Sequence, residues 1–560
     1  MMIMKKTLIS FGFMILCGAI SAQNFQDALL LSENDYQGTA RTMAMGNAFT
    51  ALGGDLGSIG INPAGSAVAR YSQFTITPGC DISFNGTKGS RMPDGIQNFE
   101  HKTFNANTDF IMPNYGFMLN FDTGFKRGVK NWSIGFVVNG SGIYHSNPYA
   151  NGTNTATSQY GYLAVRAQDL AYDYGFVADD MLDDDIFNIL PASEWNVVNA
   201  YRSGAIASIG STGKDFIGIS EYEDEKGKIR MGEHGVEQSY GQSVTGTKYE
   251  YTFNAGMNIS DVVYLGMNLS AVSANYTSNE FFKEEAVDPY DFDIIFTDNE
   301  TAAETTTHFR SARSTFKVRS RANSFNAKFG IIVTPFSGLR IGAAIQTPAM
   351  AIVTNTYAAA TEANYDVSSF SGSSDAESSD YQFYLRTPMR ANFGIAWTIG
   401  QYGLVSADYE FSNYRKMHFS TADTYDQGNY QPENTEIRDL CGVGHNFRLG
   451  AEFRPVSAFA IRLGYNLLTS GQTHAYDGDS MYKLKLNEKA IHTASFGLGY
   501  SSNRSFFADL ALVGQFHPMK YIRPYGDYIY DPDGIPAPYS PEIRYKSANL
   551  RIVATFGWRF

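Results

Sequence analysis

From Leu550 to Phe560 the chain alternates strictly. Leu550, Ile552, Ala554, Phe556, Trp558 and Phe560 share one face of a period-two strand. Arg551, Val553, Thr555, Gly557 and Arg559 share the other. One face is apolar and aromatic; the other is mostly small or cationic. The pattern recurs upstream. Phe447, Leu449, Ala451 and Phe453 alternate with Arg448, Gly450, Glu452 and Arg454. Leu339, Ile341, Ala343 and Ile345 alternate with Arg340, Gly342, Ala344 and Gln346. The spacing predicts about fourteen strands: 70–84, 109–122, 130–144, 247–259, 262–277, 317–334, 338–352, 382–399, 403–417, 444–455, 458–469, 488–501, 504–517 and 546–560.

A soluble sandwich alternates in the same way, with its apolar face in a core. The connections favour a transmembrane antiparallel β-barrel. Tight turns such as Ile259-Ser260-Asp261, Pro335-Phe336-Ser337 and Pro455-Val456-Ser457 alternate with long polar loops, the largest about 145–246. Short turns on one side and long loops on the other, an even strand number and a two-faced wall are what an outer-membrane barrel requires. The inward face then carries charges that must pair, and glycines that leave room for a channel or a plug. Residues 23–69 break the pattern. Ala40 to Leu52 has helical spacing with a face of small residues, and Gly53-Gly54 stops it. Inside a barrel this segment is a hatch of short helices and turns.

Composition narrows the class. The 560 residues include 40 Phe, 36 Tyr and 53 Gly, as a strand-rich chain would. Mean hydropathy is −0.24, so no bundle of spanning helices is expected, while a barrel averages out. Residues 1–22 read as a signal peptide, with Lys5 and Lys6 before the apolar run Leu8 to Ile20. Beyond it, Cys80 and Cys441 remain, and their pairing is open. A net charge of −13 argues against nucleic acid. No Gly-x-Ser-x-Gly elbow, Cys-x-x-Cys or His-Glu-x-x-His occurs. No enzyme, cofactor or metal site is therefore expected, and Asp179-Asp180 and Asp183-Asp184-Asp185 read as solvated loop before calcium site.

These residues resemble the outer-membrane transport family of FadL and TodX. The resemblance rests on Ala40-Arg41-Thr42-Met43-Ala44-Met45-Gly46-Asn47-Ala48-Phe49, followed by Asn62-Pro63-Ala64-Gly65. Leu339-Arg340-Ile341-Gly342 with Thr347-Pro348, Phe447-Arg448-Leu449-Gly450-Ala451-Glu452 and Phe496-Gly497-Leu498-Gly499-Tyr500 support it. It implies a fourteen-stranded barrel at residues 70–560, plugged by a hatch at 23–69, importing hydrophobic compounds such as long-chain fatty acids. It also implies that Phe25 touches the ligand, that Asn62, Pro63 and Ala64 shape the plug, and that the third strand kinks at Asn139, Gly140 and Gly142 to open the wall sideways.

Arg340 and Arg448 are candidates to meet a substrate carboxylate; the competing expectation for the lumen arginines is pairing with Asp408, Glu410, Glu452 and Asp509. Phe560 is the expected mark for barrel-assembly machinery, and outer-membrane lipid the expected surroundings. Two other functions stay open: a haemin-like ligand receptor, using His145, His418 or His517, and a surface adhesion protein anchored by its barrel.

Overall fold

A computed structural model describes residues 25–89, 99–223, 229–297, 304–378, 380–421, 430–477, 480–502, 505–529 and 540–560. The signal peptide and the Asp531–Gly534 turn lie outside the described residues. Fourteen antiparallel strands close into one barrel. They are β1 Gln73–Gly89, β2 Thr103–Asp122, β3 Val129–Ser146, β4 Val236–Ile259, β5 Val263–Ala286 and β6 Glu304–Phe336. Next come β7 (Leu339–Gln346 and Met350–Tyr365), β8 (Tyr381–Arg386 and Arg390–Ile399) and β9 (Gly403–Asn413 and His418–Thr421). The last are β10 Val443–Val456, β11 Phe459–Thr469, β12 Ala490–Ser501, β13 Phe506–Phe516 and β14 Ile543–Arg559. Closure is made by β14 on β1, from Trp558 opposite Phe74 to Ile543 opposite Gly89. No sheet edge remains along that seam, as a bilayer demands.

The facing matches the alternation. Phe447, Leu449, Phe453, Ile461, Leu463, Ile341, Ile345, Phe556 and Trp558 are exposed, whereas Arg448, Arg462, Glu452, Asp408 and Arg551 are buried inside. With this band of apolar side chains around the wall, the chain is an outer-membrane β-barrel. β7 and β8 are interrupted at Thr347-Pro348 and Thr387-Pro388. A proline cannot donate to the ladder, and the adjacent threonines repair the break. Ala327 N–H donates to Thr347 Oγ1 at 3.1 Å, and Ala349 N–H donates to Thr387 Oγ1 at 3.2 Å.

Every predicted strand is present, but β4 to β7 rise well beyond their predicted ends; β6 begins at Glu304 rather than 317. Above the bilayer no lipid imposes apolar alternation, so the sequence carried no signal there. The hatch helix is shorter than its spacing suggested. Four short helices occupy residues 25–69: α1 Phe25–Ser32, α2 Ala40–Ala44, α3 Leu56–Ile59 and α4 Gly65–Val68. α2 ends because Gly46 and Asn47 adopt φ of 60° and 59°.

The connection after β3 folds into a cap with its own core. Helices Gln159–Asp173 and Trp195–Ser203 bury Tyr160, Leu163, Ala167, Leu170, Val197 and Val198 against Phe309 and Ala312 of β6 and Tyr365 of β7. Its acidic run is solvated loop held by Arg202, which bonds Met181 O at 2.7 Å and Asp184 at 3.0 Å.

Two glutamates lie under the cap. Glu284, at the outer end of β5, accepts from Ser158 Oγ at 2.6 Å and Gln159 N–H at 2.7 Å. Glu221 accepts from Tyr528 Oη. Burial pushes their carboxyls up to about 7 and about 8 respectively. An acid raised on docking stabilises the docked form most below its free value of about 4.3, and that stability is lost as pH rises through the docked value. Hydrogen-exchange protection over residues 159–171, taken relative to the intrinsic rate at each pH, should therefore fall between about pH 5 and pH 8, and flatten with Glu221→Gln and Glu284→Gln together. A pH-independent protection factor in the native chain would contradict this.

Candidate functional site

The lumen is built around the hatch, and the inward glycines are its sockets. A Cβ at Gly330 would stand 1.9 Å from Asn62 Oδ1, one at Gly266 2.3 Å from the Pro63 carbonyl carbon, and one at Gly342 2.1 Å from Thr50 O. On the opposite wall, a Cβ at Gly464 would meet Gly46 N at 2.1 Å and one at Gly497 the Ala44 Cβ at 2.4 Å. Of the two uses the sequence left open for this room, these glycines accommodate the plug. Asn62, fully buried, donates from Nδ2 to Thr50 O at 2.7 Å and to Ile331 O of β6 at 3.2 Å, while its Oδ1 accepts from Ala64 N–H at 3.1 Å. Asn62, Pro63 and Ala64 thus join the plug's inner turn to the wall.

Charges complete the seat. Arg41 of α2 donates to Glu452 at 2.9 Å, and Arg462 and Arg454 converge on the same carboxylate at 2.7 and 2.8 Å. Arg462 also reaches Asp509 at 2.5 Å, and Arg551 holds Asp35 of the hatch at 2.6 Å and Asp81 of β1 at 2.7 Å. Pairing was expected for these groups, but two of them take hatch backbone instead. Asp408 accepts from Thr50 N–H at 2.7 Å, and Arg340 donates to Leu52 O at 2.7 Å.

Arg448 differs. It is fully buried, donates to Asn392 Oδ1 at 2.5 Å, and lies 3.4 Å from Glu410 and 5.2 Å from the Tyr36 ring centroid. Its Nε and Nη1 have no hydrogen-bond partner among the described residues.

Above the plug lies an apolar chamber, and α1 fills it. Phe25, Ala28, Leu29 and Leu31 pack against Tyr144, Tyr276, Val353, Phe383, Leu385, Tyr414, Phe419 and Ile437. The helix's carboxy-terminal carbonyls are held by cations, as its dipole favours. Lys248 Nζ donates to Leu31 O at 2.7 Å, Glu33 O at 3.0 Å and Asn34 Oδ1 at 2.9 Å, and Arg390 donates to Ser32 O. A cavity of about 40 Å³ beside these groups is lined by Glu250, Asn326, Gln346 and Thr387. That is room for water, not for a lipid.

The wall parts beside the chamber. β2 and β3 pair from Asp122–Asn131 only as far as Asn114–Asn139. β3 continues on β4 through a bulge between Gly140 and Gly142. The hatch takes the place of β2 there: Asp35 N–H donates to Ser141 O at 2.9 Å and Gln37 N–H to Gly140 O at 3.0 Å. Across the unpaired stretch His145 Nδ1 meets Asp109 at 2.5 Å, and Asn105 Nδ2 donates to Asn147 O at 2.9 Å.

The other histidines singled out in the sequence lie elsewhere, His418 on β9 and His517 after β13. Among the described residues the one cluster with metal-ligand spacing is His234, Asp288 and Asp291 in the outer loops. Cys80 and Cys441 are unpaired. Lys248, Arg390 and the aromatic chamber wall were not foreseen from the sequence; their signal lies in register, which alternation alone does not reveal.

No protein-family model matches the sequence, and no curated protein does. Solved structures do. A Pseudomonas aeruginosa FadL homologue matches with a TM-score of 0.51 at 9% identity, over 94% of this chain and 100% of that one. The P. putida toluene transporter TodX matches with a TM-score of 0.47 at 11% identity, over 94% and 99%. By its architecture, fourteen strands closed around an amino-terminal hatch, the chain has the fold of the FadL-type barrels.

Proposed function

We propose that the protein passively imports hydrophobic molecules, such as long-chain fatty acids, across the outer membrane, and that α1 occupies the site its substrate must take. The carrying observation is the chamber: tyrosines, phenylalanines and aliphatics closing on the apolar face of an eight-residue helix. A greasy solute gains as much there as α1 does, and apolar contact has no directional demand. Phe25 is then the first group displaced. Arg448, with two free donors at the chamber's floor, is the group for a carboxylate head. No bond is made or broken, and no catalytic group is required. Toluene transport by TodX-type barrels supports a hydrophobic substrate class by likeness of fold.

Exit is proposed through the parting of β2 and β3, where the His145–Asp109 and Asn105–Asn147 contacts cross and Thr103 donates to Tyr149 O at the outer end. Such a route avoids taking an apolar molecule through water. Asn139, Gly140 and Gly142 allow the bend; a Cβ at Gly140 would press on Gln37 at 2.5 Å.

Two variants test the path in proteoliposomes with oleate. A Cβ at Gly471 lies 2.7 Å from Leu29 Cδ2 and 2.4 Å from Tyr414 Cγ, so Leu29→Cys with Gly471→Cys and Tyr414→Ala, in a Cys80→Ser, Cys441→Ala background, should cross-link α1 in place. Uptake is expected to fall to that of empty vesicles and return with reductant. Gly140→Val with Gly142→Val should stop uptake while the barrel still assembles. Native uptake by the cross-linked chain would remove α1 from the path; native uptake by the valine variant would remove the side exit.

A further inference from the structure

Apart from Arg448, the inward cations described above are committed to carboxylates or hatch carbonyls, but one group of cations on the outside is not. On β6 the residues facing away from the barrel are Ile331, Phe329, Phe325, Asn323, Arg321, Arg319 and Lys317 in order outward. Phe325 is 77% exposed and ends the apolar run. From Val333 to Phe325 the strand climbs roughly 19–22 Å after tilt, close to the height of an apolar band. Arg321 and Arg319 therefore stand where lipid headgroups begin.

Register extends the patch sideways. Arg321 pairs with Thr354 and Arg319 with Thr356 on β7. On β8, Gln382 is level with Arg321, and four residues nearer the membrane the exposed Arg386 stands opposite Met350 of β7 and the exposed His418 of β9. Arg319, Arg321, Lys317 and Arg386 form no ion pair among the described residues. The nearest carboxylates are Asp380, which accepts from Thr356 Oγ1 at 2.9 Å, and Glu377, opposite Ala358 at the level of Lys317; Glu362, opposite Arg313, and Asp375 lie further out.

We propose that this outer face of β6 to β9 is a docking site for the phosphorylated headgroup of an outer-leaflet lipid. Three observations converge on it. The chain carries a net charge of −13 yet leaves these cations unneutralised. They sit on a rigid wall rather than a loop, directly above apolar side chains that would hold the acyl chains. Arginine forks beside the Thr354 hydroxyl are the donor set that phosphate oxygens take. Basic clusters at a membrane surface attract anionic lipid.

The test uses full-length protein in dodecyl maltoside micelles, with bound lipid counted by native mass spectrometry. The probes are bisphosphorylated lipid A, the same lipid with its phosphates removed, and inorganic phosphate. The native chain should retain the bisphosphorylated lipid at least tenfold better than the dephosphorylated one, and inorganic phosphate should not displace it at equal concentration. Arg319→Gln, Arg321→Gln and Arg386→Gln together should abolish that preference. Lys126→Gln with Arg127→Gln, in the exposed β2–β3 turn at the other end of the barrel, should keep it. Should the triple variant fail to assemble, Arg321→Gln alone should lower retention at least threefold. Equal retention by the triple or single variant, no preference for the phosphorylated lipid, or displacement by inorganic phosphate would each overturn the proposal. Oleate uptake is not read, so the outcome is independent of the transport reading.

Discussion

With Gly464→Val and Gly342→Val introduced together, the barrel should assemble but leak. Valine suits a strand interior, and the strand ladders do not need glycine at these positions. The hatch does. At 464 the added carbon would lie 2.1 Å from Gly46 N and 2.4 Å from the Met45 carbonyl carbon; at 342 it would lie 2.1 Å from Thr50 O and 2.6 Å from its carbonyl carbon. These neighbours are backbone, fixed by the seat on the far side, and they cannot swing away like a side-chain end. Overfilling a packed contact typically costs 1–3 kcal/mol even where relaxation is allowed, and here two strands four apart in the wall, β7 and β11, push at once. The hatch must lift, opening a lumen lined by charge. Liposome swelling with small sugars should rise at least tenfold over the native chain, with heat-modifiable mobility showing that the barrel is intact. Alanine at the same two positions should give a smaller leak. A sealed valine variant would mean that the glycines do not seat the plug.

That ring of glycines also shows what alternation could and could not tell. The inward glycines were visible as a period-two pattern, and so was the sign of the wall, because lipid on one side and a polar lumen on the other constrain every second residue. A hatch was expected to fill the space, but which of its residues met which glycine was not visible. Gly330 meets Asn62 across about 270 positions of chain, and nothing in either segment marks the other. The charges behave alike. Pairing of Glu452 with Arg462 is legible because the two are cross-strand neighbours on β10 and β11, but Arg41 reaching the same carboxylate depends on how the hatch is seated. The cap core and the chamber around α1 were not legible for a different reason. α1 is only two turns long, too short for a helical period to stand out, and its partners Phe383, Tyr414 and Phe419 come from three places on β8 and β9. The Asn-Pro-Ala-Gly turn was legible as local chemistry, whereas the wall contacts of Asn62 were not.

Loss of one carboxylate should release the hatch without disturbing the wall. Glu452 has no exposed side-chain surface and accepts from three guanidiniums: Arg41 of α2, Arg462 of β11 and Arg454 on its own strand. Of these, Arg462 keeps Asp509 at 2.5 Å, and Arg454 is 43% exposed and can turn to solvent. Arg41 is 16% exposed and has no second ion pair among the described residues. Glu452→Gln preserves shape but strands that cation against the wall. Removing one partner of a buried pair costs about 3–5 kcal/mol, because the other charge stays desolvated. Since about 1.4 kcal/mol is a factor of ten, amide exchange at Met43 and Ala44 should accelerate by roughly two to three orders of magnitude, while amides of β10 and β11 hold their native rates. Arg454→Gln removes a half-exposed member of the same cluster and should change those rates by less than about fivefold, as exposed pairs contribute about 0–1 kcal/mol. Equal effects from the two variants would show that the cluster stabilises the wall rather than the plug.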